Sequence, residues 1–320
     1  MSDERSDIAY VFPGQGAQHV GMGRDVYERL TAGSRVFDRA EEVTGLPLKK
    51  LCFEGPEEEL ARTDIAQPAI FTVSAAMLAA MDDLHSPEQL EGMRPAFAAG
   101  LSLGEYTALY AADALDFDDM LKLVARRGEL MQQAATAVPS GMVSVLGLDE
   151  DAARRLCDAA ADGQVLACAN FNSPGQVVLS GEIDACRRVE RLAEEHGAKG
   201  AIPLKVAGAF HSPLMQPAAE AFAEALDAVE FRRPRVEVIA NVDARAYSDA
   251  SGIRDGLLRQ LTSPIRWQQS MEYARGHGIE RFYEIGPGKV LRGLLRRIDR
   301  AAECTCVNSL DALEKLSAGT

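Results

Sequence analysis

The chain has 320 residues, of which 47% are hydrophobic and 26% charged, and its formal net charge is −14. This composition is typical of a globular protein with room for one large α/β domain or two smaller ones. The negative charge argues against nucleic acid or an anionic membrane as the main partner, because both are bound by basic surfaces.

Neither a targeting segment nor a metal site is expected. The charged start, Met1 to Arg5, lacks the apolar stretch of a signal peptide, and the longest apolar run, 70–81, is too short to span a bilayer. The six cysteines lack the spacing of a metal site, since Cys304 and Cys306 alone make a poor ligand set. We therefore expect a reduced, cytoplasmic protein without structural metal.

In the first part of the chain, apolar strands alternate with amphipathic helices. The strands are predicted at 8–12 and 95–99, and the helices at 25–40, 69–81, 106–112 and 117–135. Alternation of this kind predicts a mainly parallel sheet with helices on both faces.

The middle of the chain has a different order. After Pro139-Ser140-Gly141, the predicted elements are strand 142–146, helix 151–161, strands 165–171 and 176–180, helix 183–196 and strand 198–206. This βαββαβ order is ferredoxin-like. It predicts a small subdomain, 138–206, inserted into a larger α/β subdomain made of 1–137 and 207–320. The larger part then continues with strands at 236–240 and 281–285 and a helix at 290–298.

Ser102 is the candidate nucleophile. It lies in Gly100-Leu101-Ser102-Leu103-Gly104, between a predicted strand and a predicted helix. Glycines two residues before and after a serine permit the tight turn of a nucleophile elbow, in which the hydroxyl stands clear of the backbone. The following helix N-terminus then points at any negative charge that forms there.

His211 is the candidate base for Ser102. Of the five histidines, it alone ends an apolar segment, 206–210, which would place it at the end of a sheet strand facing the elbow. A partly buried structural histidine is the alternative. No carboxylate has the usual place in the order of such triads, so a carbonyl is as good a candidate as a carboxylate for orienting the ring.

Arg127 lies on an apolar helix face, in register with Met120, Val124 and Met131. A buried guanidinium needs an anionic partner, because a lone buried charge costs several kcal/mol. The partner is either an internal Asp or Glu or the carboxylate of a substrate, which arginine can bind through two hydrogen bonds.

A glycine-rich loop with Gln15 follows the first strand. It could supply N–H groups to an oxyanion, although a purely structural loop is the simpler interpretation.

Taken together and in this order, these elements resemble the malonyl-coenzyme A:acyl-carrier-protein transacylases and the acyltransferase domains of polyketide synthases. The resemblance covers nearly the whole chain and implies a hydrolase-like α/β core with a mainly parallel sheet and an inserted ferredoxin-like subdomain. The matching segments are Gly14-Gln15-Gly16-Ala17-Gln18, the Ser102 elbow, Arg127-Gly128, Asn170 to Gln176, Gly208-Ala209-Phe210-His211, Asn241-Val242-Asp243 and Glu284 to Lys289.

The resemblance also implies a role for each site residue. Ser102 would be acylated by malonyl-coenzyme A, and His211 would act as base and then as acid. The remaining implied roles are an oxyanion hole from Gln15 and the Leu103 N–H, a grip on the malonyl carboxylate by Arg127, and orientation of His211 by a carbonyl at Gln260.

Two positions bear on substrate choice. Phe210 looks like the malonyl-selecting variant of the family motif, because a bulky ring crowds the space that an α-methyl group needs. Leu101 stands where the family usually has histidine; some members resemble this chain in having leucine, so activity is expected.

The implied substrates are malonyl-coenzyme A and acyl carrier protein, and the implied product feeds fatty-acid or polyketide synthesis. No cofactor is implied, and a monomer is expected. Two basic clusters could dock the acidic carrier, although a solvated helix face explains either alone: Lys289, Arg292, Arg296 and Arg300, and Arg187, Arg188 and Arg191. The alternatives are a serine esterase or thioesterase on the same elbow, and a carrier-docking module without catalysis.

Overall fold

Two β-sheets organise the chain in the computed structural model, which describes residues 6–318. The strands are β1 (Ile8–Phe12), β2 (Phe97–Gly100), β3 (Ser140–Leu146), β4 (Leu166–Ser173), β5 (Gln176–Glu182), β6 (Gly200–Pro203), β7 (Glu237–Ala240), β8 (Arg245–Ala246), β9 (Arg281–Ile285) and β10 (Glu303–Val307). The helices are α1 (Arg24–Arg29), α2 (Thr31–Thr44), α3 (Leu48–Glu54), α4 (Glu57–Leu60), α5 (Thr63–Leu84), α6 (Pro87–Gly92), α7 (Leu103–Ala111), α8 (Phe117–Ala137), α9 (Glu150–Ala161), α10 (Ile183–Leu192), α11 (Gln216–Asp227), α12 (Ala250–Gln260), α13 (Trp267–Gly276), α14 (Val290–Ile298) and α15 (Leu310–Ala318).

The larger sheet has the strand order β10-β9-β1-β2-β7-β8. All neighbours are parallel except β7 and β8, so the prediction of a mainly parallel sheet is confirmed. Strands β1 and β2 are in register, with Phe12 opposite Gly100. Since parallel strands end at the same edge, the loop after β1 and the elbow after β2 begin side by side.

The smaller sheet is antiparallel, in the order β4-β5-β3-β6. It has the predicted βαββαβ order, and a separate hydrophobic cluster lies between it and α9 and α10. Backbone hydrogen bonds join its β4 edge to Ile265, just before α13: the Phe171 N–H donates to the Ile265 carbonyl at 2.9 Å, and the Ile265 N–H donates to the Ala169 carbonyl at 2.8 Å. The α/β fold class with a small second sheet is confirmed, while the exact boundaries at 138 and 206 stay a prediction.

Three predicted elements differ from the structure. The helix expected at 25–40 is two helices, α1 and α2, because the backbone of Leu30 is extended (φ −126°, ψ 126°). The break lets α2 fold back on α1 so closely that a Cβ at Gly33 would lie 2.5 Å from the Val26 side chain. The strand expected at 198–206 covers only Gly200–Pro203, and proline can offer no further N–H to the ladder.

The third difference is helix α5, which begins at Thr63 instead of Ala69 and carries Pro68 within it. Its 22 residues are long and apolar enough to cross a membrane. The prediction that the apolar segment is too short to span a bilayer is therefore wrong. However, 83% of the apolar window is buried inside the fold. Helix α5 packs as a core helix, against α2, α7 and α8.

Candidate active site

The elbow at Ser102 has the strained backbone that its sequence predicts. Ser102 has φ 52° and ψ −103°, a region that residues with a Cβ rarely adopt. A Cβ at Gly100 would lie 1.9 Å from the Gly104 carbonyl carbon, and a Cβ at Gly104 would lie 2.1 Å from the Phe12 oxygen. Both glycines are therefore required by the turn.

Asn241, which follows β7, stabilises this elbow through two hydrogen bonds. Its Oδ1 accepts a hydrogen bond from the Ser102 N–H at 2.7 Å, and its Nδ2 donates to the Gly100 carbonyl at 2.7 Å. Asn241 is fully buried. Hydrogen bonds from another strand thus help to offset the strain at Ser102.

His211 contacts Ser102 as predicted, but it does not end a strand. The segment 206–210 is irregular, and His211 itself has φ 56°. A close contact accounts for this path, because a Cβ at Gly208 would lie 2.7 Å from Ala135 of α8. The expected strand at this position is wrong, while the expected proximity is found: His211 Nε2 lies 2.8 Å from Ser102 Oγ.

The other ring nitrogen determines the tautomer of His211. Nδ1 lies 2.8 Å from the backbone carbonyl of Gln260 at the end of α12. A carbonyl can only accept, so Nδ1 carries the proton and Nε2 is free to accept the Ser102 hydroxyl proton. The group that orients the ring is therefore a carbonyl and not a carboxylate.

His211 is held neutral. Burial lowers its pKa to about 3, and the positive charge of Arg127 adds to the effect, against an opposing hydrogen bond to the Gln260 carbonyl. A neutral imidazole is the form that can take a proton from serine.

Arg127 lies in the same site and is 1% exposed. Its Nη2 donates to Ser102 Oγ at 3.0 Å and to Gln260 Oε1 at 2.8 Å, and its Nη1 donates to Gln67 Oε1 at 2.6 Å. Within residues 6–318, no carboxylate lies at ion-pair distance from this guanidinium. Of the two partners considered above, a directly paired internal Asp or Glu is therefore not found.

Instead, a buried carboxyl group, that of Glu105, is connected to the guanidinium through the side chain of Gln260. Glu105 of α7 accepts hydrogen bonds from Gln260 Nε2 at 2.5 Å, from the Asn241 N–H at 3.3 Å and from the Tyr247 hydroxyl. No role was predicted for Glu105. Its signal in the sequence was that it is the one charged residue of an otherwise apolar or neutral helix.

The predicted oxyanion donors lie beside Ser102. The Leu103 N–H lies in the first turn of α7, where backbone N–H groups have no acceptor within the helix. Gln15 lines the same cavity, but its side-chain amide donates to Thr63 Oγ1 at 3.3 Å. The Gln15 side-chain amide therefore already has a partner, and its place in an oxyanion hole stays a prediction.

Ser102, His211 and Arg127 line a cavity of about 260 Å³. Leu101, Phe210 and Met131 also line it, together with Met142 of β3 and Val178 of β5 in the smaller sheet. Phe210 is held by its backbone carbonyl, which accepts from Ser180 Oγ at 2.7 Å. The cavity is also lined by Lys205, Asn172 and Gln176 and by Val290 and Leu294 of α14. Val290 is 42% exposed and Lys205 is exposed, so we take this side as the cavity mouth.

Comparison with known proteins identifies the family of the chain. The sequence matches the acyl transferase domain family over residues 9–311. The chain belongs to the acyl transferase family. Among curated relatives of this acyl transferase are the malonyl CoA-acyl carrier protein transacylases of Bacillus subtilis (strain 168) and Escherichia coli (strain K12). The first is 43% identical over 310 residues, 97% of this chain and 96% of its own length, and the second is 41% identical over 308 residues, 96% and 98%.

Solved structures of family members have the same fold. An acyl carrier protein S-malonyltransferase from Vibrio cholerae superposes with a TM-score of 0.91 at 43% identity, covering 97% of this acyl transferase and 100% of that chain. A malonyl transacylase solved in complex with a type II polyketide synthase acyl carrier protein superposes with a TM-score of 0.93 at 38% identity, covering 98% and 100%.

Proposed function

We propose that this acyl transferase moves the malonyl group of malonyl-coenzyme A to the phosphopantetheine thiol of acyl carrier protein, by way of a malonyl ester on Ser102. The observation that carries the proposal is the guanidinium of Arg127, which is buried without a paired carboxylate and lies 3.0 Å from the candidate nucleophile. A cation in that position can bind the free carboxylate of a malonyl group while the thioester carbon faces Ser102.

In the first half of the reaction, Ser102 Oγ attacks the thioester carbon as its proton passes to His211 Nε2. The N–H groups of Leu103 and Gln15 receive the oxyanion. The carbon–sulfur bond then breaks, and His211 returns the proton to the sulfur of coenzyme A. The product is the malonyl-Ser102 ester.

The second half reverses these steps with another thiol. The carrier thiol gives its proton to His211 Nε2 and attacks the ester carbon, and Ser102 Oγ leaves and recovers that proton. The reaction balances without any electron acceptor or metal. A neutral base serves both directions, because it must take up and release one proton in each half.

A direct test is to mix the purified protein with malonyl-coenzyme A and then with carrier protein bearing phosphopantetheine. Intact-mass spectrometry should detect first a protein heavier by one malonyl group and then malonylated carrier. Release of free malonate at the same rate with or without carrier would instead identify a thioesterase.

Replacing Arg127 by alanine should separate malonyl from acetyl transfer. Loss of one member of a buried ion pair costs about 3–5 kcal/mol, so kcat/KM for malonyl-coenzyme A should fall roughly 100- to 5,000-fold, with a much smaller loss for acetyl-coenzyme A. The matched control is Arg126→Ala, since Arg126 is exposed on the same helix and pairs with Glu129 at 2.6 Å. Equal losses for both substrates would assign Arg127 a packing role.

For carrier docking, we propose the exposed face of α14 next to the cavity mouth. Its basic residues form no ion pair within the part of the chain that the structure describes, whereas Arg187 pairs with Asp184 and Arg188 binds backbone carbonyls of α9. The residues concerned are Arg292 and Arg296 of α14, with Lys289 just before the helix and Arg300 just beyond it.

Reversing the charge at Arg292 and Arg296 to glutamate should raise the KM for carrier protein about tenfold at low salt, and the difference should shrink as salt screens it. Steady-state transfer at saturating malonyl-coenzyme A measures the effect. Arg35→Glu on α2, far from the cavity, serves as control. An unchanged KM at low salt would exclude this face.

We further propose a cytoplasmic location for this acyl transferase. All six cysteines are free thiols, which supports the reducing cytoplasmic location. The transfer needs no cofactor of its own, because the reactive thiols belong to the two substrates. We also propose that the chain acts as a monomer and that 138–206 is a separate inserted subdomain.

A further inference from the structure

Glu105 is a buried carboxylate that the acyl-transfer steps above do not use. It is 1% exposed, and three donors point at it: the Tyr247 hydroxyl, Gln260 Nε2 and the Asn241 N–H. Burial disfavours the ionised form of a carboxylate, whereas donated hydrogen bonds and a nearby positive charge favour it.

The side chain of Gln260 connects it to that countercharge. Gln260 Nε2 donates to Glu105 at 2.5 Å and to the Ser102 carbonyl at 3.0 Å, while Gln260 Oε1 accepts from Arg127 Nη2 at 2.8 Å. An amide nitrogen only donates and an amide oxygen only accepts, so Glu105 and Arg127 together fix which way the amide faces. The result is a continuous bridge from the anion, through one amide, to the cation.

Burial and charge act on Glu105 in opposite directions. Burial raises its pKa to about 7, and the hydrogen bonds from Tyr247 and Gln260 and the charge of Arg127 oppose that rise. The geometry of the bridge favours the ionised form of Glu105, because Gln260 presents its N–H group and not its oxygen to the carboxylate.

We propose that Glu105 is a positioning residue that weakens the grip of Arg127 on the malonyl carboxylate. Through Gln260 it already neutralises part of the guanidinium charge, so an incoming carboxylate binds a balanced pair and not a bare cation. The malonyl group is then held firmly enough to be selected and loosely enough to leave with the carrier. This inference rests on the proposed role of Arg127.

The test uses the isosteric change Glu105→Gln in a Ser102→Ala background, in which no turnover obscures binding. Titration calorimetry should show malonyl-coenzyme A binding about tenfold more tightly than to Ser102→Ala alone, because the competing anion is gone. Acetyl-coenzyme A, which has no carboxylate, should bind with unchanged affinity. Adding Arg127→Ala should cancel the gain, since the effect acts through that guanidinium.

A matched control is Glu284→Gln. Glu284 is also a fully buried carboxylate, but it accepts the Leu291 and Arg292 N–H groups at the start of α14 and has no contact with Gln260. It should leave the malonyl-to-acetyl affinity ratio unchanged.

Three results would overturn the proposal: unchanged or weaker malonyl binding in Glu105→Gln, an equal change for both thioesters, or a gain that persists without Arg127. If Arg127→Ala alone leaves the malonyl preference intact, the proposed function of Arg127 fails as well. If Arg127→Ala removes the preference and Glu105→Gln changes nothing, only the role of Glu105 fails.

Should Glu105→Gln fail to fold, Tyr247→Phe decides. It keeps the carboxylate but removes one donor that stabilises the anion. Malonyl affinity should rise about threefold with acetyl affinity unchanged, and no rise, or an equal rise for both, would reject the proposal.

Discussion

Ser102→Ala is expected to abolish malonyl transfer and to leave no acylated protein after incubation with malonyl-coenzyme A. Turnover should fall by about 10⁶-fold, the size of effect seen when a serine nucleophile is removed from a catalytic unit. The protein should remain folded, because alanine keeps the Cβ of the elbow and the Ser102 N–H bond to Asn241 does not involve the side chain. Intact-mass spectrometry and steady-state transfer measure the two effects.

The control for this change is Ser270→Ala. Ser270 is buried, and its hydroxyl donates to the Arg266 carbonyl, just before α13, at 2.9 Å. That variant should be acylated as fully as the unaltered protein. An adduct that persists in Ser102→Ala would have to sit on another nucleophile, such as the partly exposed thiols of Cys304 and Cys306, and would remove Ser102 from the mechanism.

Ser102 could be predicted because its signal is local. Glycines at two fixed distances are needed by the turn itself, and the structure shows why: a Cβ at either would collide with backbone. Strand β1 was likewise predicted with its bounds unchanged, since five consecutive apolar residues between polar ones are a local pattern. Arg127 was found on the periodicity of a single helix.

The charged network behind Ser102 could not be predicted in the same way. Gln260 Nε2 bonds to a carbonyl 158 positions away in the chain, and Asn241 bonds to the elbow across 139 positions. The residues next to Glu105 in the sequence do not indicate which side-chain amide its carboxylate contacts. The strand predicted before His211 failed for a related reason, because a long-range contact between Gly208 and α8 sets that path.

Several elements of the C-terminal half also escaped prediction, among them α11, α12 and α13 and the edge strand β10. Strand β10, ECTCV, alternates partly buried cysteines with exposed polar residues, which is the weak pattern of a strand at a sheet edge. Its place beside β9 is determined by pairing and not by its own composition.

His211→Ala should reduce kcat/KM for malonyl transfer by about 10⁴-fold, because the Ser102 proton loses its acceptor. The fold should persist, since the ring is bound only through Ser102 Oγ and the Gln260 carbonyl. His277→Ala, at an exposed position after α13, is the control and should transfer malonyl at the normal rate. Activity within tenfold of normal in His211→Ala would mean that another group takes the proton.

The depressed pKa of His211 also determines how activity depends on pH. The folded-state pKa, about 3, lies below the usual 6.5, so the ring remains a neutral base at mildly acidic pH. For acetyl-coenzyme A, whose acyl group has no carboxylate for Arg127 to bind, kcat/KM should stay flat from about pH 7 to about pH 5. The stability of the fold should depend on pH in a different way. The unfolded His211 ring takes up a proton below about pH 6.5 while the folded ring does not, so the contribution of His211 to the free energy of unfolding falls as pH falls. Chemical denaturation at several pH values should show that loss in the unaltered protein and a smaller one in His211→Ala, and an acid limb in kcat/KM centred near pH 6.5 would contradict the burial of the ring as its cause.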